Sequence, residues 1–122
     1  MLSVSWPVMT QRELDLLQGT LDVLVLRALS WQPMHGYAVA RFIRQGSAQA
    51  FKVLDGALYT SLHRMEERGW VESEWGASDK KKRAKFYRLT AAGRRALRSE
   101  TQSWNDYVDA VGRVMTASPE TV

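Results

Sequence analysis

A run of cations, Lys80-Lys81-Lys82-Arg83, followed after one residue by Lys85, is the feature of this chain that points most directly to chemistry. Adjacent cations repel one another, and the repulsion falls when a line of phosphate groups replaces the surrounding counterions. Eight basic residues lie between Asp79 and Arg95, where Asp79 is the one acid, and the rest of the chain is net acidic. The run therefore predicts contact with a nucleic-acid backbone.

The residues that precede this run predict a short helix with one buried and one exposed face. Asp55 is a suitable N-cap, because its carboxylate can accept from free amides of the first turn, and Gly69 is a suitable C-terminal stop. Leu58, Leu62 and Met65 recur at helical spacing and predict the buried face. The opposite face is polar and weakly basic, which suits a major groove. It comprises Gly56, Thr60, His63, Arg64 and Glu67, flanked by Ala57 and Tyr59.

Two predicted strands, over residues 70–75 and 84–89, are rich in aromatic and β-branched residues. The residues that join them, 76–83, carry the cationic run. A helix followed by a hairpin with a cationic tip is typical of a winged helix, in which the helix reads bases and the hairpin, or wing, contacts phosphates. The predicted fold class is therefore mainly α with a small β-hairpin wing, a winged helix-turn-helix followed by a long C-terminal helix.

Two further helices are predicted before the base-reading helix. The first runs over residues 11–30 and is apolar on most of its circumference, so it must be clamped between other elements of this chain or of a second one. The second opens at His35-Gly36 and continues to about residue 45, where Gly46 ends it. Its predicted buried side comprises Tyr37, Val39, Phe42 and Ile43.

The last predicted helix begins after Thr90 as N-cap and runs to about residue 116. Its apolar residues alternate between steps of three and four and form a narrow seam, like that of a coiled coil. The seam comprises Leu97, Thr101, Trp104, Val108, Val111 and Met115. A second copy of the same helix would cover it, so we expect a twofold homodimer. The predicted division is a DNA-binding domain over 12–89, a dimerisation helix over 90–116, and flexible termini over 1–11 and 117–122.

Composition limits the other possibilities. The 122 residues can form one hydrophobic core, and the net charge of +4 favours a polyanionic partner. Cysteine is absent, and neither histidine has zinc-ligand spacing around it, so no metal and no cofactor are expected. No nucleophile motif or Gly-rich phosphate loop indicates an enzyme. Without a secretion signal or an apolar stretch of membrane-spanning length, we expect a soluble cytoplasmic protein that does not enter a membrane.

The motifs together resemble those of the PadR family of bacterial transcriptional regulators. They include Leu21 through Leu29, His35-Gly36-Tyr37, Leu58-Tyr59-x-x-Leu62-x-Arg64-Met65-Glu66-x-x-Gly69, and Arg83-x-Lys85-x-Tyr87-x-Leu89-Thr90-x-x-Gly93. The resemblance covers about residues 12 to 115, and the single long C-terminal helix is similar to the short branch of the family, whose members dimerise through it.

The resemblance implies roles for individual residues. It places Tyr59, His63 and Arg64 on the DNA-reading helix, Lys80 to Lys85 on the wing, and Tyr37 near the DNA backbone. Thr60 departs from the family pattern, where many members carry proline, and this departure should alter base preference more than fold. A tryptophan at the position of Trp104 stacks on planar aromatic ligands in multidrug-sensing members. Two interpretations of Trp104 remain open: the indole contacts an effector, or it packs in the dimer seam.

The function that we predict is a dimeric, sequence-specific DNA-binding repressor on an inverted-repeat operator, relieved by a small aromatic effector if one exists. Two alternatives remain. A winged helix used for protein contacts would bind its partner without steep salt dependence. A MarR-like regulator shares the Leu-Thr-x-x-Gly sequence after the wing but usually has more N-terminal helix than this chain.

Overall fold

The computed structural model describes residues 18–121, which form a mainly helical chain with one small sheet. The helices are α1 (Gln18–Leu29), α2 (Gly36–Gly46), α3 (Asp55–Glu67) and α4 (Ala91–Thr116). The strands are β1 (Met34–His35), β2 (Val71–Ala77) and β3 (Arg83–Leu89), and a short 3-10 helix follows at Pro119–Thr121. The order confirms the predicted fold class, a winged helix-turn-helix with a long C-terminal helix.

The core forms where α1 packs against α2, α3, α4 and β3. Val25, Leu26 and Leu29 of α1 are almost fully buried within this chain, whereas Val23 and Leu24 are half-buried. Leu58, Leu62 and Met65 of α3 are also buried, as their spacing predicted. The predicted start of the first helix at residue 11 lies outside the described residues.

Side chains cap two of the helices: Thr90 caps α4 as predicted, and His35, where the start of α2 was predicted, also acts as a cap. The backbone amide of Ala38 donates to His35 Nδ1 at 3.2 Å, and the amide of Gly93 donates to Thr90 Oγ1 at 3.0 Å. The predicted cap of α3 is wrong: Leu54 occupies the N-cap position, where no side-chain cap bond forms, and Asp55 is the first helical residue. At that position the carboxylate still lies in the first turn, where a negative charge interacts favourably with the helix dipole.

Gly69 ends α3 through its backbone conformation. Its φ of 76° lies in the left-handed region, where a residue without a Cβ is favoured. The amide of Gly69 donates to Glu66 O at 3.0 Å and that of Trp70 donates to Met65 O at 2.9 Å, a Schellman motif. The chain therefore turns directly from α3 into the wing.

The sheet has the strand order β1-β3-β2, and all its pairs are antiparallel. In the β2–β3 hairpin, which is the wing, Val71 pairs with Leu89 and Ala77 with Arg83. The strands extend slightly further toward the tip than predicted, so the connecting turn is shorter. β1 was missed, because two residues are too few to show strand periodicity.

α4 is joined to the base of the wing at its first turn. The hydroxyl of Thr90 donates to Gly69 O at 2.6 Å and its amide donates to Trp70 O at 3.0 Å. Gly93 is buried against Trp70, and a Cβ built on Gly93 would lie 3.0 Å from the Trp70 carbonyl carbon. Beyond Leu97, which is half-buried against the core, most of α4 is exposed in the isolated chain.

Candidate nucleic-acid interface

The outward face of α3 presents two of the predicted base-reading residues. Thr60 and His63 are exposed, and His63 Nε2 lies 3.5 Å from Glu67 Oε2 one turn further along the helix. The side chain of His63 is 73% exposed, so this contact leaves it accessible. Both side chains are therefore accessible from outside the chain.

Arg64 departs from the predicted outward placement. Its Nη2 donates to both carboxylate oxygens of Asp22 in α1, at 2.6 and 2.8 Å, and its side chain is only 24% exposed. Ser61, which is buried, donates to the same carboxylate at 2.6 Å. A signal for this cluster was present in the sequence: Asp22 lies in an otherwise apolar part of α1, and a carboxylate drawn toward a core requires a partner.

Tyr37 lies in the first turn of α2, and the ring of Tyr59 from α3 lies against the same turn. The prediction that Tyr37 belongs to the buried side of α2 is wrong, because this residue is 59% exposed, while Tyr59 is 49% exposed. The ring of Tyr59 rests against Gly36, where an added Cβ would lie 2.7 Å from Tyr59 Cζ. Gly36 therefore permits the close approach of α3 to the start of α2.

Arg41 belongs to the same surface and was not predicted. Its guanidinium carbon lies 5.5 Å from the ring centroid of Tyr37, a cation–π contact. The two residues are separated by one helical turn, which is the spacing at which side chains of a helix meet. That spacing could have identified Arg41 once Tyr37 was placed on the exposed side.

The tip of the wing is a tight turn from Ser78 to Lys82. The amide of Ser78 donates to Lys82 O at 2.8 Å, and the amide of Lys82 donates to Ser78 Oγ at 3.2 Å. Lys81 has a φ of 60° in this turn, and its side chain is exposed. Backbone hydrogen bonds and the hydroxyl of Ser78, rather than the lysine side chains, thus hold the turn in shape.

A contact across the hairpin and a contact with α3 each hold one cation of the wing. The guanidinium of Arg83 lies 4.3 Å from the ring centroid of Trp75, an exposed residue that was not predicted as part of the site. Lys85 Nζ lies 3.7 Å from Glu66 Oε1, and the hydroxyl of Ser73 donates to Glu66 Oε2 at 2.6 Å. Aromatic side chains two residues off the direct partner are within reach across a hairpin, so the strand register could have suggested the Trp75–Arg83 contact.

A groove of about 690 Å³ brings the wing, α2 and α3 together. Of the predicted DNA-contact residues, those that line it are Tyr37, Tyr59, Lys80, Lys82, Arg83 and Lys85. Thr60, His63 and Lys81 lie outside its lining. Tyr87 forms part of its wall, and burial, followed by the negative charge of Glu66, raises the pKa of this tyrosine, so its hydroxyl is neutral at physiological pH. The groove is therefore a concave surface lined by five cations, Arg41, Lys80, Lys82, Arg83 and Lys85, and by one carboxylate, Asp79.

The predicted seam on α4 splits into two parts. Leu97 packs against the core of its own chain, whereas the remaining apolar members are exposed, namely Trp104, Val108, Val111 and Met115. The ring of Trp104 stacks on Tyr107 with centroids 6.2 Å apart and planes 29° apart. Both rings line a crevice of about 330 Å³ between α1 and α4, together with Gly19, Thr20, Val23, Glu100 and Ser103.

Within residues 18–121, no helix is long and apolar enough to cross a bilayer. The same residues contain no group of three or more histidine, aspartate or glutamate side chains placed to hold a metal ion.

Comparison with known proteins identifies relatives of this arrangement. Residues 25–99 match the model of the transcriptional regulator PadR-like family. A PadR family transcriptional regulator from Eggerthella lenta DSM 2243 is 32% identical, with a TM-score of 0.71, over 83% of this chain and 86% of that chain. A PadR-like transcriptional regulator from Bacillus cereus strain ATCC 14579 shares the fold at 24% identity and a TM-score of 0.70, over 83% and 96% of the two chains.

The chain is also 28% identical over 102 residues to an uncharacterized protein of Lysinibacillus sphaericus, covering 83% of this chain and 93% of that protein. The family match includes α2, α3 and the wing, which build the groove, and also the first turns of α4. It confirms the resemblance found in the sequence motifs and sets aside the MarR-like alternative. The chain belongs to the PadR-like family of transcriptional regulators, which regulate transcription by binding DNA and are not enzymes.

Proposed function

We propose that this protein is a dimeric, sequence-specific repressor that binds an inverted-repeat operator in the compartment that holds the chromosome, the cytoplasm. Two copies would each insert α3 into a major groove, with half-sites roughly 34 Å apart. The observation that carries the proposal is the groove in which four wing cations, Lys80, Lys82, Arg83 and Lys85, share one surface with the start of α3.

The contacts divide into two classes in this proposal. Thr60 and His63, with Tyr59 beside them, read base edges, because their side chains are exposed on the outward face of α3. The wing cations, including Lys81 and Arg83, and the hydroxyl of Tyr37 bind phosphates, which positions α3 without reading sequence. Arg64 is left out of the base-reading set, because its guanidinium is held by Asp22.

The dimer is proposed from the exposed apolar seam of α4. Val108 and Val111 are 44% and 43% exposed and Met115 is 77% exposed, so an apolar stripe on a 26-residue helix faces solvent in the isolated chain. A second α4 is the self-complementary surface that would cover it. The proposed units remain a DNA-binding domain over 12–89 and a dimerisation helix over 90–116. A monomer in light scattering at micromolar concentration would contradict this assembly.

A second proposed function is binding of a planar aromatic effector in the α1–α4 crevice. The observation that favours it is the stacked pair of Trp104 and Tyr107 on one wall of an open, largely apolar space. A flat aromatic ligand should quench tryptophan emission and weaken operator binding, and Trp104→Ala should abolish both effects. If the ligand acts equally on Trp104→Ala, the indole serves only to pack the seam.

Selection from a library of random duplexes tests the function directly. The wild-type protein should enrich an inverted repeat, and gel shifts should then show tighter binding to that site than to random duplex. Thr60→Ala should reduce this preference by about 1–3 kcal/mol if Thr60 contributes a base contact. If no sequence is enriched and binding does not weaken as salt rises, the winged helix serves protein contacts instead.

A further inference from the structure

We propose that Asp22 is a positioning residue that keeps Arg64 off the DNA, so that binding to random sequence is suppressed and the face of α3 can discriminate between sequences. The inference rests on the proposed function, because it assumes that α3 faces duplex DNA. It assigns to α1, which carries no predicted DNA contact, a role in specificity.

The geometry of the contact carries the first step. One guanidinium nitrogen of Arg64 lies 2.6 and 2.8 Å from the two carboxylate oxygens of Asp22, and both side chains are largely shielded, at 24% and 17% exposure. An ion pair with little solvent around it is screened far less than a surface pair. The contact joins residues 42 positions apart in the chain and therefore fixes α3 against α1.

The second step is where the side chain of Arg64 would go without Asp22. Arg64 follows Thr60 by one helical turn and is adjacent to His63, and both of these residues are exposed on the outward face. Its long flexible stem allows the guanidinium to reach solvent on that side once the carboxylate is removed. A guanidinium there would bind phosphate oxygens of any sequence, because phosphate contacts carry no base information.

The third step is the convergence of two α3 side chains on the same carboxylate. Ser61, at 1% exposure, donates to Asp22 Oδ1 at 2.6 Å, and Arg64 donates to the same oxygen from three residues further along. Two anchors on one turn of a helix oppose its rotation about its own axis. Asp22 thus sets which side chains of α3 face outward and also withholds one cation from that face.

A double-mutant cycle tests the inference on the full chain, with Asp22→Asn, Arg64→Met, the double variant and wild type. Each is titrated against the selected inverted repeat and against random duplex at several salt concentrations. Asp22→Asn should bind random duplex more tightly, and its log–log salt slope should steepen by about 0.9 for each new phosphate contact. Its preference for the selected site should fall. Arg64→Met and the double variant should show the wild-type slope, because neither presents a cation at position 64.

Matched controls separate this outcome from others. Asp109→Asn removes the same charge from an exposed site on α4 and should leave the slope unchanged. The inference is overturned if Asp22→Asn and wild type share one slope on random duplex. It is equally overturned if the affinity of the double variant for random duplex exceeds that of Arg64→Met by the same factor by which the affinity of Asp22→Asn exceeds that of wild type. That result would indicate that loss of the Asp22 charge alone strengthens binding. If Asp22→Asn loses its helical circular dichroism signal, the salt slope of Arg64→Met tests the inference instead. A slope shallower than that of wild type would mean that Arg64 already contacts phosphate in the wild-type protein, which would overturn the inference.

The design keeps failure of the inference apart from failure of the proposed function. If wild type enriches no sequence from the library, sequence-specific repression is wrong, whatever the four slopes are. If wild type selects a site and Asp22→Asn matches it on both duplexes, the regulator stands and the role given to Asp22 is wrong.

Discussion

Replacing Lys80, Lys81 and Lys82 together by alanine should weaken binding to DNA of any sequence and leave the preference for the operator nearly unchanged. The turn at the tip of the wing is held by backbone bonds and by the hydroxyl of Ser78, so it should survive the loss of three lysine side chains. The alanine at position 81 would keep a positive φ, a conformation that lysine already adopts there. The variant should therefore fold like wild type and differ in charge at the tip.

The size of the effect follows from where the lysines lie. Lys80 and Lys82 line the groove and Lys81 lies at the exposed apex, and all three are assigned to phosphates, so three phosphate contacts per wing are expected to be lost. Each contact contributes about 0.9 to the log–log salt slope, so the slope should become shallower by about 2.7 per bound wing. Between roughly 50 and 200 mM salt, the fall in affinity per wing should then be about fortyfold smaller than in wild type.

The assay is a fluorescence-anisotropy titration of operator and random duplex over that salt range. Both affinities should fall together at low salt, while their ratio changes little, because the lost contacts carry no base information. A control with Arg94, Arg95 and Arg98 replaced by alanine removes three exposed cations from α4 and the same net charge. Equal flattening of the slope in that control, or no flattening in the wing variant, would refute the assignment of phosphate contacts to the wing.

Three further outcomes are expected. Gly93→Ala forces a Cβ against the Trp70 carbonyl, so thermal unfolding should show a loss of about 3 kcal/mol; an unchanged melting temperature would contradict the close approach. Because the pKa of Tyr87 is raised in the folded chain, its contribution to stability is complete below the ordinary tyrosine pKa of about 10 and declines as pH rises above it, so Tyr87→Phe should flatten the alkaline decline in urea titrations. If stability falls equally with rising pH in Tyr87→Phe and in wild type, Tyr87 does not contribute in this way. Val108→Glu should convert the dimer to monomer in light scattering, because a charge would enter an apolar seam; a dimer of unchanged mass would place the interface elsewhere.

Much of the fold could be predicted from neighbouring residues. The caps of α2 and α4 at His35 and Thr90 and the end of α3 at Gly69 depend on side chains and backbone within a few positions. The buried face of α3 follows from helical spacing alone. The cap assigned to Asp55 failed by one position, because the helical conformation already begins at Asp55 and Leu54 therefore occupies the N-cap.

The candidate site was predictable only in part. The wing cations were identified because charge clustering is visible in the sequence, and four of them lie in the groove. Trp75 and Arg41 were missed, because each joins the site through one contact, with Arg83 and with Tyr37, that depends on the exact register or helical face. Aromatic residues are common in cores, so composition alone did not indicate that the rings of Trp75 and Tyr37 are exposed.

The amino-acid sequence by itself determined the class of regulator, the order of the helices and the wing, and the surface that carries positive charge, because these depend on composition, on periodicity and on bonds between near neighbours. Tertiary structure alone decided that Arg64 turns back to Asp22, that Met34 and His35 form a third strand on the wing, and that Tyr37 faces the groove. Such outcomes depend on which distant groups packing brings within hydrogen-bond reach, and no local pattern of residues encodes that distance.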